Sequence, residues 1–180
     1  MKINFISALL LACAATASHV AFAADGTITF TGKVSAQTCT INKTSAANFT
    51  VTLPPVSANA LASAGQTAGR APFKIALTGC SVKSGTVRAY FEPGSTVNTS
   101  TGQLVLNSGA DAATNVEIGL LNSDLSVIDI GAADGSQNSQ AATISAAGDA
   151  TLNFYAQYVA TGAATAGTAQ SSVMYTLVYP

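Results

Sequence analysis

The chain has 180 residues, only 8% of them charged, with seven Lys and Arg against eight Asp and Glu and a net charge of −1. So sparse and balanced a set of charges gives nucleic acid or an anionic membrane no cluster of Lys and Arg to bind. The only histidine, His19, falls in an N-terminal segment expected to be cleaved, so no Ser or Cys of the expected mature chain has an imidazole partner for nucleophilic catalysis.

The first 23 residues read as a cleavable secretory signal. Lys2 supplies the positive start, residues 5–17 form a short apolar stretch, and Ala21-Phe22-Ala23 places small residues where a signal peptidase accepts them. Leu-Leu-Ala-Cys at 10–13 is a poor lipidation box, because Leu11 sits where a smaller residue is usual. Cys13 is therefore read as lost with the leader. Neither this stretch nor any later one reaches the roughly 20 apolar residues of a membrane-spanning helix. The expected mature chain, residues 24–180, is soluble and long enough for one core but too short for two ordinary domains.

Along the mature chain the dominant pattern is alternation of period two. Ile28, Phe30, Gly32 and Val34 share one face of an N-terminal strand, with Thr27, Thr29, Thr31 and Lys33 on the other. Val51 and Leu53 form a short strand that stops at Pro54-Pro55, since proline has no amide hydrogen for a ladder. Residues 58–68 are rich in Ala and predict a turn of helix at most, limited by Gly65 and Gly69. Strands are predicted around Phe73, Ile75 and Leu77, and again around Val87, Ala89 and Phe91. Leu104 and Leu106 mark a weaker one. Further strands carry Val116, Ile118 and Leu120, then Leu152, Phe154, Ala156 and Tyr158, and finally Val173, Tyr175, Leu177 and Tyr179. The tracts at 132–150 and 161–170 read as irregular cover rather than clefts.

Cys39 and Cys80 remain as an even pair in an exported chain, where an oxidising compartment makes a bridge the default. Two cysteines without a histidine make a zinc site improbable. Asp111, Glu117, Asp124, Asp129, Asp134 and Asp149 are scattered through Gly, Ser, Asn and Ala, where turns and solvated loops are their commoner role. They show no calcium-loop spacing, and no two are marked out as a pair flanking a glycosidic bond. There is no phosphate-cradling glycine loop. The acceptor sequences at Asn42, Asn48 and Asn98 are weak signals for glycosylation in so Ser- and Thr-rich a chain. No enzyme activity and no cofactor are expected. Short strands separated by Gly, Asn, Ser and Thr predict a β-sandwich with Greek-key connections.

Both ends stand out. The segment ahead of Cys39 could extend beyond a domain that the cysteine pair begins, and the last apolar strand runs to the end of the chain. The plain alternative is that the first and last strands pair with each other.

Five pieces, in order, resemble the fimbrial (pilus) subunits of the chaperone–usher pathway of Gram-negative bacteria, type 1-like subunits in particular. They are Gly26-Thr-Ile-Thr-Phe-Thr-Gly-Lys-Val34 followed by Cys39-Thr-Ile41, Pro72-Phe-Lys-Ile-Ala-Leu-Thr-Gly-Cys80, Asn115-Val-Glu-Ile-Gly-Leu120, Asn153-Phe-Tyr-Ala-Gln-Tyr-Val-Ala-Thr-Gly162, and a last strand with Tyr179 penultimate. Gly167, fourteenth from the end, falls where such subunits keep a glycine.

The resemblance implies an incomplete immunoglobulin-like fold lacking its seventh strand. Residues 24–35 would be a donor extension, with Ile28, Phe30, Gly32 and Val34 entering the groove of a neighbour, and residues 36–180 the pilin domain. Gly167, Val173, Tyr175, Leu177 and Tyr179 would belong to the acceptor groove, filled first by a periplasmic chaperone and then by the next subunit. Implied partners are identical or related subunits, the chaperone, an outer-membrane usher and, through the fibre, a host surface receptor. Export through the periplasm to the cell surface follows. Two other readings compete with a structural subunit: a minor adaptor near the fimbrial tip, and a secreted carbohydrate-binding module, which would cluster aromatic residues on one exposed face. A tip adhesin needs a second domain, and a terminator lacks a donor extension, so both fit less well.

Overall fold

The computed structural model describes residues 27–32, 39–42 and 47–179; the segment expected to be a signal, residues 1–23, and Val34 lie outside them. The chain falls into two units, Met1–Ser35 and Ala36–Pro180. In the first, residues 27–32 are exposed and belong to no strand. The expected N-terminal strand is thus absent over these residues. Alternation supplies a face, but a strand needs a ladder partner to hold it.

Among the described residues the second unit is a two-sheet sandwich of ten strands. They are β1 (Thr40–Ile41), β2 (Thr67–Thr78), β3 (Thr86–Phe91), β4 (Val97–Asn98), β5 (Gln103–Val105), β6 (Val116–Asn122), β7 (Val127–Ile128), β8 (Ala142–Thr143), β9 (Ala150–Ala160) and β10 (Tyr175–Val178). The larger sheet runs β1-β2-β9-β6-β5-β4, with β7 also on β6; the smaller is β10-β3-β8. All strand pairs are antiparallel. Alternation in β3, β9 and the second half of β2 puts Ile75, Leu77, Val87, Ala89, Phe91, Leu152, Phe154 and Ala156 in one core between the sheets. In β6 the outward face is covered too. Glu117 is buried there, accepting hydrogen bonds from Asn98 Nδ2 and Thr101 Oγ1, both at 2.7 Å.

Residues 58–61 make a single 3-10 turn, after which β2 begins at Thr67. Gly69 sits at a register shift in β2 with φ +64, and a Cβ there would lie 2.8 Å from the Tyr158 ring, so only glycine suits the site. Val51 and Leu53 alternate as expected, each half-buried beside exposed neighbours, yet residues 47–53 belong to no strand. The tract at 132–150 is more than irregular cover, since it contributes β8, buried Ile144 and buried Gln137. Gln137 acts as a substitute strand partner for β3. Its Oε1 accepts the Phe91 amide at 3.0 Å, while its Nε2 donates to the carbonyls of Phe91 at 2.6 Å and Ile130 at 2.9 Å. Arg88 pairs with Asp134 of the same loop.

Cys39 and Cys80 are joined by a disulfide spanning 41 positions, which ties the start of β1 to the end of β2. A loop of that length corresponds to about 4 kcal/mol in the chain-entropy account. Mass measurement of the mature protein before and after reduction should show a gain of two hydrogens; an unchanged mass would remove the bridge.

Candidate functional site

β10 is the site's organising element. It lies at the edge of the smaller sheet, hydrogen-bonded to β3 on one side, with Tyr175 opposite Phe91 and Leu177 opposite Ala89. Among the described residues no strand pairs with its other side. An exposed edge of this kind offers a row of backbone donors and acceptors to an incoming strand.

Beside this edge runs a groove of about 990 Å³ that opens between the two sheets. Its floor is core, including Ile75, Phe91, Leu120 and Ala156. One wall is Val173, Tyr175, Leu177 and Tyr179; the other is residues 47–51 and Leu53, with Cys39 and Ile41 also lining the cavity. Tyr179 Oη lies 3.2 Å from Cys39 Sγ, so the disulfide borders the groove. Burial pushes the phenols of Tyr175 and Tyr179 above their ordinary range, and at neutral pH both stay protonated hydrogen-bond donors.

The structure therefore gathers four of the five residues expected at an acceptor groove and separates the fifth. Gly167 lies outside the groove lining, in an adjoining hollow of about 290 Å³ that it shares with Leu53, Val56, Leu61, Val116 and Tyr158. There it packs against a neighbouring loop, where a Cβ would lie 2.4 Å from the Ala113 amide nitrogen and 2.7 Å from the Asp111 carbonyl oxygen. Its glycine identity serves that close backbone approach, next to a parallel bridge between Ala112 and Thr168. Gly167→Ala should destabilise the domain by about 1–3 kcal/mol, the usual cost of overpacking, and chemical denaturation would measure it. A midpoint equal to that of the unmodified chain would contradict the packing.

Ile28 is 79% and Phe30 88% exposed, and nothing lies within 4 Å of a Cβ built on Gly32. For side chains that large and apolar, such exposure is a liability unless something covers them. The groove wall at residues 47–53 was the part of the site that the sequence alone did not assign. Its alternating Phe49, Val51 and Leu53 were the available signal. Among the described residues no group of three or more His, Cys, Asp or Glu is placed to hold a metal.

The type-1 fimbrial protein, A, family profile matches residues 53–180. The major fimbrial subunit SMF-1 of Stenotrophomonas maltophilia (strain K279a) is 52% identical, over 92% of this chain and 98% of its own. The F17 fimbrial protein of Escherichia coli is 45% identical, over 99% of this chain and 98% of its own. Among solved structures, a subunit of a chaperone–usher pilus superposes with a TM-score of 0.58 at 23% identity, covering 87% of this chain and 96% of that one, which shows the fold. The fold is an all-β, incomplete immunoglobulin-like sandwich. With its open edge, its apolar groove and a matching profile over more than half its length, the chain belongs to the type-1 fimbrial protein family.

Proposed function

We propose that the protein is a structural subunit of a surface fimbria and that residues 24–35 of one copy fill the groove beside β10 of the next. The observation that carries the reading is the open edge of β10 over an apolar groove, in a chain whose N-terminal segment carries a matching apolar row. From 28 to 34 an extended segment spans about 20 Å, and the groove wall from 173 to 179 spans the same length at about 3.3 Å per residue. Burying Ile28, Phe30 and Val34 is worth about 1.5–3 kcal/mol each, or roughly 4.5–9 kcal/mol before ordering costs. Main-chain hydrogen bonds along β10 supply affinity, and alternate side chains supply specificity. Gly32, on the same face, suits a shallow part of the groove.

Donor and acceptor surfaces differ, so each added copy presents a fresh groove and growth continues as a filament. Before assembly the same groove is the seat for a periplasmic chaperone, which hands the subunit to an outer-membrane usher. The subunit is exported by its N-terminal signal and ends at the cell surface, where the fibre supports adhesion. Neither step calls for a cofactor or a catalytic group. The similarity to a major subunit over nearly the whole chain favours the shaft over a tip adaptor. The test is fibre assembly by cells whose only subunit carries a charged residue at Phe30.

A further inference from the structure

A row of five aromatic rings runs from the core to the mouth of the groove. Phe91 and Phe154 stand 5.5 Å apart between centroids, Phe154 and Phe73 5.4 Å, Phe73 and Phe49 6.2 Å, and Phe49 and Tyr175 6.2 Å. Phe91 and Phe154 are each 2% exposed, whereas Phe49 is 40% exposed. Phe73 belongs to β2 in the larger sheet and Tyr175 to β10 in the smaller, so the Phe49 ring joins the two lips of the groove. A second tie crosses at the same place. The Tyr175 hydroxyl donates to the Ala47 carbonyl at 2.8 Å, from the edge strand to the facing segment.

These ties lie in the lane an added strand would use. Its backbone would run about 4.8 Å from β10. The bond from Tyr175 to Ala47 links β10 to the opposite wall of the groove, so a strand seated between those walls has to displace it. The segment that makes the ties is held by no ladder, because residues 47–53 belong to no strand. It meets β10 through the Phe49 ring against Tyr175 and the Ala47 carbonyl that accepts the Tyr175 hydroxyl, two contacts that an incoming strand can replace.

We propose that Phe49, secured by Tyr175, is a resident placeholder that closes the empty groove and is displaced by an incoming donor side chain. This rests on the donor-strand reading of the groove and adds a barrier to it. Phe30 of the donor brings a ring of the same size to the same aromatic neighbours, so little apolar contact is lost in the exchange. Until then the Phe49 ring shields part of the apolar floor from water and from mispairing with other strands. Phe49 and Tyr175 thus set how fast the groove accepts a strand.

The experiment uses the mature chain, freshly diluted, and a fluorophore-labelled synthetic peptide of its own residues 24–35, with uptake followed by fluorescence anisotropy. Phe49→Ala removes the ring; Tyr175→Phe keeps the ring at 175 and removes only the hydroxyl, which guards against a folding defect in the first variant. Uptake by either variant should be roughly three- to tenfold faster than by the unmodified chain, the rate equivalent of one lost hydrogen bond or ring contact. If the peptide binds the unmodified chain but neither variant takes it up faster, Phe49 is a fixed wall and the placeholder is overturned while the groove reading stands. If the peptide binds none of the three, both fall together.

Discussion

Cells whose only subunit carries Phe30→Asp should secrete it normally and show no surface fibres by electron microscopy. Phe30 is 88% exposed in the subunit, so the substitution removes no core contact and the domain should fold as before. Assembly is another matter. The donor strand loses about 1.5–3 kcal/mol of apolar burial at this position. In addition, a carboxylate must enter a groove floored by Ile75, Phe91 and Leu120, whose lining among the described residues holds no cation. Together these exceed what one donor side chain contributes, and the loss recurs at every joint of a fibre. Thr29→Asp places the same charge on the opposite face of the segment and should assemble nearly normally. Fibres of ordinary length and number from the Phe30→Asp strain would overturn the donor assignment.

Joining a second copy of residues 24–35 after Pro180 through a flexible linker should convert an associating chain into a monomer and raise its thermal midpoint by roughly 10–30 °C. Donor burial of about 4.5–9 kcal/mol, reduced by the cost of ordering the segment, corresponds to that range at the 2–4 °C per kcal/mol typical of a domain this size. The donated strand becomes intramolecular, so its binding no longer depends on protein concentration. The unmodified mature chain should aggregate slowly or associate head to tail, because the β10 edge stays unpaired and the Phe49 ring shields only part of the groove. Size-exclusion chromatography and thermal melting in one buffer make the comparison. A mature chain that is already monomeric and melts as high as the extended one would make the sandwich self-contained.

The main strands of the sandwich were legible because their residues alternate long enough to leave a signal. β3, β6, β9 and the second half of β2 fall where Val87, Ile118, Phe154 and Ile75 predicted them. β4, β7 and β8 are two residues each, too short for any period, and they exist because their neighbours offer an edge. Gln137 illustrates a different gap. A polar residue in an Ala/Gly/Ser tract reads as a loop, and only the fold reveals that its amide completes the β3 ladder. The groove wall was half legible, since the last strand was marked by its own alternation. Its counterpart was not, because Tyr175 and Ala47 meet across 128 positions. Gly167 was singled out through the family resemblance alone; the loop backbone at Asp111–Ala113 that it approaches leaves no mark in the sequence.

The direction of the open edge carries a mechanical consequence. In a fibre built through this groove, each joint would be loaded through the chain that continues from the end of the inserted strand, so the pull would act along that strand and against β10. The ladder bonds would then be loaded together in shear, whereas a strand peeled from its end gives them up one at a time. Resistance to force is set by the rate of escape over that shared barrier rather than by equilibrium affinity. A joint made of hydrogen bonds and three apolar side chains can therefore hold under flow far longer than its free energy alone suggests.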